Sequence, residues 1–264
     1  MRAVAKRRLR ASKTSTLKSI LRPLAGNSHR RAAVDIHQYL RDLILSNALP
    51  PDTILSQVKV AACLKVSRTP VREALRMLME EGLVSAEPNY RCRVLGFDPR
   101  ELEALYVSRI ANEGIAATVT VQSMTDEDVD KLAALLQQLR KDEKEQNLRH
   151  WLKNHRAFHQ MLFCRSNPLL QKRMTVDSQR SERYVYNTVQ AGLTELFRRA
   201  AVEHEQIYQA CKRRQAAKVV VLLTDHLAGA AVDIMAKFAP NWEPTTLRNA
   251  ARLMRRGATH LDDP

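Results

Sequence analysis

From Ala32 onward the apolar residues recur three and four apart, at Ala33, Ile36, Tyr39/Leu40 and Leu43/Ile44, until Ala48-Leu49-Pro50-Pro51-Asp52 breaks the run. This spacing predicts a first helix. A second, shorter one is predicted behind Ser56 as its cap, on Val58, Val60, Ala61, Ala62 and Leu64. After a tight turn at Lys65-Val66 a third opens on hydroxyl side chains, carries Pro70 in its first turn and stops at Gly82. Its apolar stripe is Val71, Ala74, Leu75, Leu78 and Met79. Leu83 to Ala86 and Arg91 to Leu95 then read as two short strands around the turn Glu87-Pro88-Asn89-Tyr90. Three helices followed by a hairpin make a winged helix-turn-helix.

Past the link Phe97-Asp98-Pro99 the period is helical throughout. Arg100 to Ser123 carries apolar residues on more than one face, which predicts burial on several sides. Thr125 with the acids behind it opens the next helix, on Val129, Leu132, Leu135/Leu136 and Leu139. Further helices are expected over about 148–164, 168–188, 193–213 and 215–238, and a loosely held tail over 240–264. The expected fold is therefore mainly α: a winged helix-turn-helix over 32–97, an all-α helical bundle over 98–239, a basic disordered arm over 1–31 and a flexible tail.

Charge changes the picture of the first domain. Of the net +15, residues 1–97 hold +11, from 18 Lys and Arg against 7 acids. Such a concentration points to double-stranded DNA as partner, because binding there is largely counterion release from phosphates. The arm, with ten Lys or Arg and no acid, either supplies extra phosphate contacts or only solubilises the chain. On the third helix Arg68, Arg72 and Arg76 fall four apart and form a basic stripe opposite the apolar one. Guanidinium groups fork onto guanine edges or phosphates, so the stripe suits a helix laid in a major groove, although a solvated arginine face has the same spacing. Arg91 and Arg93 on the hairpin would lie against the backbone or the minor groove. The four cysteines form no C-x-x-C pair, which fits a reducing compartment, and no uninterrupted apolar stretch of about 18 residues or secretory signal is seen. A cytoplasmic, nucleoid-associated protein with no membrane partner is expected.

In the helical region Arg109 and Glu113 lie four apart on an apolar face, so they either pair with each other or Arg109 anchors an anionic effector. His155 and His159 are i and i+4, while His204 and His226 lie on later helices. A bundle can bring such residues to one central metal, although histidines in such positions are also found simply hydrogen-bonded in a core.

The run Val66-Ser67-Arg68-Thr69-Pro70-Val71-Arg72-Glu73-Ala74-Leu75 with Glu81-Gly82-Leu83-Val84 resembles the signature of the GntR family of bacterial transcription regulators. By that resemblance Arg68 and Arg72 read bases and phosphates, and Ser67 and Thr69 bond phosphates. The chain departs from the family pattern at Pro51-Asp52, Gln57 and Tyr90-Arg91, the last standing where the wing usually has Arg-Gly. Asn154-His155-Arg156-Ala157-Phe158-His159, Glu203-His204-Glu205-Gln206-Ile207 and Asp225-His226-Leu227 resemble the FCD effector-binding domain of the FadR subfamily. That resemblance implies a divalent metal on His159, His204 and His226, completed by an effector carboxylate. His155 stands at the fourth ligand position in place of Asp or Asn, which favours zinc or nickel; alternatively Asn154 takes over, or no metal binds. Arg109 falls on a helix that lines the effector cavity in that family. The expectation is a homodimeric, ligand-responsive regulator on a palindromic operator with a small carboxylate effector, not an enzyme. The alternatives are a metal-dependent hydrolase with a nucleic-acid anchor and an architectural DNA-binding protein without effector.

Overall fold

The computed structural model describes residues 17–23, 32–190 and 195–259. The chain divides into two units, Met1–Phe97 and Asp98–Pro264.

In the first unit α1 (Ala32–Leu45) buries Ile36, Leu40 and Ile44 and packs against α3 (Arg68–Glu80). α2 (Gln57–Leu64) is closed by Lys65, whose φ of 56° turns the chain left-handed and sends it into α3. Val71, Ala74, Leu75 and Leu78 form the buried stripe of α3, with Met79 half-buried. His37 Nε2 and Arg41 Nε of α1 each meet a carboxylate oxygen of Glu81 at 2.9 Å, which fixes the C-terminal end of α3. Burial opposes ionisation of that carboxyl, but the two basic neighbours hold it below its ordinary value. Gly82 then reverses the chain at φ 65°, a conformation suited to glycine.

The hairpin comprises β2 (Val84–Glu87) and β3 (Arg91–Val94), and a third strand, β1 (Ile54–Ser56), pairs antiparallel with the other side of β3. Three residues are too few to show alternation, so only the cap Ser56 was legible there. The arm also differs from expectation where it is described: Leu17–Ile20 make one helical turn, and Leu17 and Leu21 are buried. Residues 1–16 and 24–31 of that arm lie outside the described residues.

The second unit is all helix among the described residues: α4 (Pro99–Ser123), α5 (Asp126–Lys144), α6 (Leu148–Met161), α7 (Pro168–Gln190), α8 (Glu195–Lys212), α9 (Ala216–Phe238) and α10 (Thr245–Ala258). Thr125 and Asp128 form a reciprocal capping box at the start of α5. α4 packs against α7, α9 and α10, so its apolar residues are spread around the whole circumference. Among the described residues α9 is the one helix long and apolar enough by composition to cross a membrane; Thr224-Asp225-His226 interrupt its apolar run, and 56% of its most apolar window is buried in the bundle. The expected loose tail is instead largely α10. Its Leu247, Ala251 and Ala258 are buried, and the buried Glu103 of α4 accepts hydrogen bonds from Leu247 N at 3.0 Å and Trp242 Nε1 at 2.9 Å. The prolines at 240 and 244 precede this helix and do not interrupt it, whereas its arginines occupy the exposed face.

Candidate metal centre and DNA-reading helix

On α3, Ser67, Arg68, Thr69, Arg72 and Arg76 are all exposed. Ser67 occupies the cap position, yet its hydroxyl makes no capping bond, so it is available to an outside acceptor. Arg72 and Arg76 make only loose contacts with Glu73 and Glu80, at 3.4 to 3.6 Å. The wing arginines are less available. Arg93 lies within β3, and its guanidinium is held by Glu87 across the hairpin at 2.7 Å and by Asp52 at 3.4 Å, the latter a partner distant in sequence that spacing could not reveal. Its hydrogen bond lowers the Glu87 carboxyl below its ordinary value. Arg91, half-buried, pairs in register with Glu87 and Ser56. The wing turn stays tight without glycine because Asn89 and Tyr90 take φ of 62° and 53°, which for Tyr costs about 1 kcal/mol. Tyr90 stands 72% exposed at the tip.

In the helical unit α6 contributes His155 and His159, α8 contributes His204 and α9 contributes His226. One nitrogen from each lies within 4.8 Å of all the others. Ring centroids are 4.5 to 6.0 Å apart, and the Nε2 atoms of His155 and His159 approach to 3.2 Å. His159, His204 and His226 are buried, while His155 is partly exposed and stacks on Trp151 at 4.5 Å. Burial first, and then neighbouring positive charge, holds His155, His159 and His204 well below the ordinary imidazole value. They are therefore neutral near pH 7, the form that binds metals.

A carboxylate orients one of the rings from behind. Glu203 Oε2 lies 2.7 Å from His226 Nδ1, a contact that directs the opposite nitrogen inward. Glu113 Oε2 stands 3.5 Å from His159 Nδ1, and neither atom makes a hydrogen bond. Sequence reasoning missed the role of Glu203, which adjoins His204 in the sequence but serves a different histidine.

The residues fit a metal. His204 Nε2 is buried without a hydrogen-bond partner, a state that a Lewis acid would relieve. Bonds of about 2.1 Å put donors at most about 4.2 Å apart, so the widest pair would close by roughly half an ångström. Four nitrogens suit zinc, nickel or copper.

Beside the histidines is a cavity of about 20 Å³, walled by Tyr106, Arg109, Trp151, His155, Val185, Arg199, Glu203 and His226, among others. Arg109, 3% exposed, donates to Glu113 Oε1 at 2.7 Å and to Ser181 Oγ at 3.0 Å, and its Nη2 is left without a hydrogen bond of ordinary geometry. Burial works against its charge, but Glu113 and its other neighbours more than compensate and raise its pKa. The expected internal pair with Glu113 exists, and Arg109 Nη2 makes no hydrogen bond.

Both units are similar to known proteins. The sequence profile described as bacterial regulatory proteins, gntR family, matches residues 32–94, and the FCD domain profile matches residues 104–229. A transcriptional regulator from the TAR-I ttuE-ttuC' intergenic region of Agrobacterium vitis is 36% identical over 37% of this chain and 58% of its own length. The gluconate operon transcriptional repressor of Bacillus licheniformis is 31% identical over 48% of this chain and 51% of its own. The matched region therefore spans only a little over half the length of these relatives. Among solved structures, E. coli McbR/YncC covers 78% of this chain and 98% of its own with a TM-score of 0.66 at 21% identity. A GntR regulator from Rhodococcus sp. RHA1 covers the same shares with a TM-score of 0.64 at 21% identity.

Proposed function

The chain belongs to the gntR family of bacterial regulatory proteins and carries an FCD domain, and from that premise we propose that it is a ligand-responsive transcription regulator that binds a palindromic operator as a homodimer and senses a small carboxylate beside a histidine-held metal. The relatives are named as regulators, not enzymes. It would act in the cytoplasm, on the nucleoid. The observation that carries the effector reading is that two of the four converging imidazoles, His155 and His226, line one cavity together with Arg109, whose Nη2 has no hydrogen bond.

His155, His159, His204 and His226 would hold the ion, which as a Lewis acid supplies a binding point for a carboxylate oxygen. Four histidines fill a tetrahedral ion, so the reading requires an ion that accepts five or six donors, such as nickel or an expanded zinc site. Arg109 Nη2 would take the second oxygen or another acidic group of the effector. A cavity of about 20 Å³ holds roughly one water, so an organic acid must push the walls apart. That displacement has a route outward. Ser181, bonded to Arg109, lies on α7 shortly before Arg183 and Tyr184, which bond Glu101; Tyr184 Oη also lies 3.4 Å from the Asp98 carbonyl, where the chain arrives from the first unit. An effector that binds two arrangements of these helices unequally changes the orientation in which α3 is presented.

The test is elemental analysis of the purified protein, followed by thermal-shift screening of the metal-loaded form against sugar acids, amino acids, and di- and tricarboxylates. A bound first-row metal and a stabilising acid that Arg109→Ala abolishes are expected. Absence of metal together with no responding acid refutes the sensor reading.

A further inference from the structure

The gntR profile begins at residue 32, yet the described segment before it is built into the same unit. Leu17 and Leu21, one helical turn apart, are each 3% exposed. Tyr39 of α1 brackets the segment's backbone: Arg22 N donates to Tyr39 Oη at 3.0 Å, and Tyr39 Oη reaches the Ile20 carbonyl at 3.4 Å. The segment faces α2, and the cleft between them, about 510 Å³, is lined by Lys18, Arg22, Val58, Lys59, Ala62 and Cys63, among others. Leu17 and Leu21 point inward while Lys18 and Arg22 on the same turn are exposed, as is Lys59 across the cleft.

α2 is the first helix of the helix-turn-helix, the element that crosses the DNA backbone while the second helix enters the groove. Its C-terminal turn runs directly into Ser67, Arg68 and Thr69. The docked segment therefore adds basic side chains beside α2, the helix that in this motif crosses the phosphate backbone. We propose that residues 17–23 form an additional phosphate-binding element of the DNA-binding domain, with Lys18 and Arg22 as its contacts, so that the footprint extends along the backbone past the bases read by α3. Lysine and arginine without base partners carry affinity and salt dependence and leave sequence preference unchanged. This proposal rests on α3 being the DNA reader, and the test separates the two.

The experiment uses the full-length chain and a labelled 30-base-pair duplex of random sequence, with binding followed by fluorescence anisotropy across a salt series. Lys18→Ala/Arg22→Ala is expected to weaken binding roughly tenfold or more at 0.1 M salt and to flatten the plot of log affinity against log salt by about two, one for each phosphate that no longer meets a cation. Leu17→Ser/Leu21→Ser keeps both charges but removes their anchor, and is expected to flatten the same plot at least in part. Lys141→Ala/Lys144→Ala on α5 removes equal charge elsewhere and should leave the slope as in the parent. An unchanged slope in the first variant, while Arg72→Ala still weakens binding, overturns the proposal and leaves the reading of α3 standing. A parent-like slope in the leucine variant, or an equal loss in the α5 control, overturns it as well, since the docked position would then be irrelevant. No binding of any duplex by the parent protein removes both readings. Melting of the leucine variant by circular dichroism reports its folding, and the lysine-arginine variant alters only exposed side chains.

Discussion

Glu203→Gln tests the proposed metal centre; Oε1 of this residue lies 3.2 Å from the partly exposed Arg199 Nε. The carboxylate lies 2.7 Å from His226 Nδ1 and is not itself among the four converging donors, so the substitution keeps the shape and every imidazole while weakening what orients one of them. Loss of such an outer partner typically lowers metal affinity 10- to 100-fold. At a free metal concentration about 100 times the parent dissociation constant, binding stabilises the folded chain by about 2.7 kcal/mol. In the variant the same concentration is only about 1 to 10 times its constant, and the stabilisation falls to roughly 0.4 to 1.4 kcal/mol. For a unit the size of residues 98–264, each kcal/mol moves the melting temperature by about 2–4 °C. The parent should thus gain about 5–11 °C on loading and the variant about 1–6 °C. The assay is scanning calorimetry of chelator-stripped protein titrated with nickel or zinc. Glu205→Gln serves as control, because that residue lies on the same helix but pairs outward with Arg140. Identical titrations for Glu203→Gln and the parent, or no metal-dependent rise in either, would refute the reasoning.

Three other outcomes are expected. The metal-free protein should lose stability as pH falls through the unfolded imidazole value near 6.5, because unfolded chains protonate His155, His159 and His204 while the folded state resists it. With three protons at issue the slope approaches about 4 kcal/mol per pH unit, and denaturant melts that stay flat from pH 7 to 5 would contradict it. Glu113→Ala leaves the Arg109 charge buried without its partner and should cost about 3–5 kcal/mol in chemical denaturation, whereas a loss below 1 kcal/mol would mean that water reaches the site. Arg68→Ala and Arg72→Ala should each cost about 1–3 kcal/mol on an operator selected from a random library; for Arg72→Ala, equal loss on operator and random duplex would reassign that arginine to the backbone.

Much of this molecule was legible along the chain because its chemistry repeats at helical spacing. The stripe from Val71 to Leu78 and the arginines at four-residue intervals identify α3, and His155 with His159 identifies the face of α6 that points inward. What escaped the sequence has physical reasons. β1 is too short to alternate, and its pairing with β3 joins residues far apart. α10 is rich in arginine and follows two prolines, signs of a tail, yet it is docked by three small or apolar residues, by the carboxylate of Glu103, by Met254 against Gly114 and by the pair of Arg255 with Asp225. The anchoring of Leu17 and Leu21 depends on Tyr39 and on the outer face of α2, which no local pattern reveals. Ser181 beside Arg109 is likewise visible only in three dimensions, being 72 residues away.

α4 offers a different face to each neighbour: Glu101 to α7, Glu103 to the start of α10, Arg109 to the cavity, and Gly114 to Met254, whose Cε would lie 2.5 Å from an added Cβ. A helix with so many obligations has little freedom to drift. In a library of random substitutions α4 should be the least tolerant stretch of the second unit, and its amides among the slowest to exchange with solvent. On the proposed function, new ligand preferences would then arise in the cavity walls that α7 to α9 supply, at Val185, Ala200 and Ala230, rather than at Trp151, which stacks on His155. On that reading the same scaffold passes from one small acid to another while the four histidines and the arginines of α3 stay as they are.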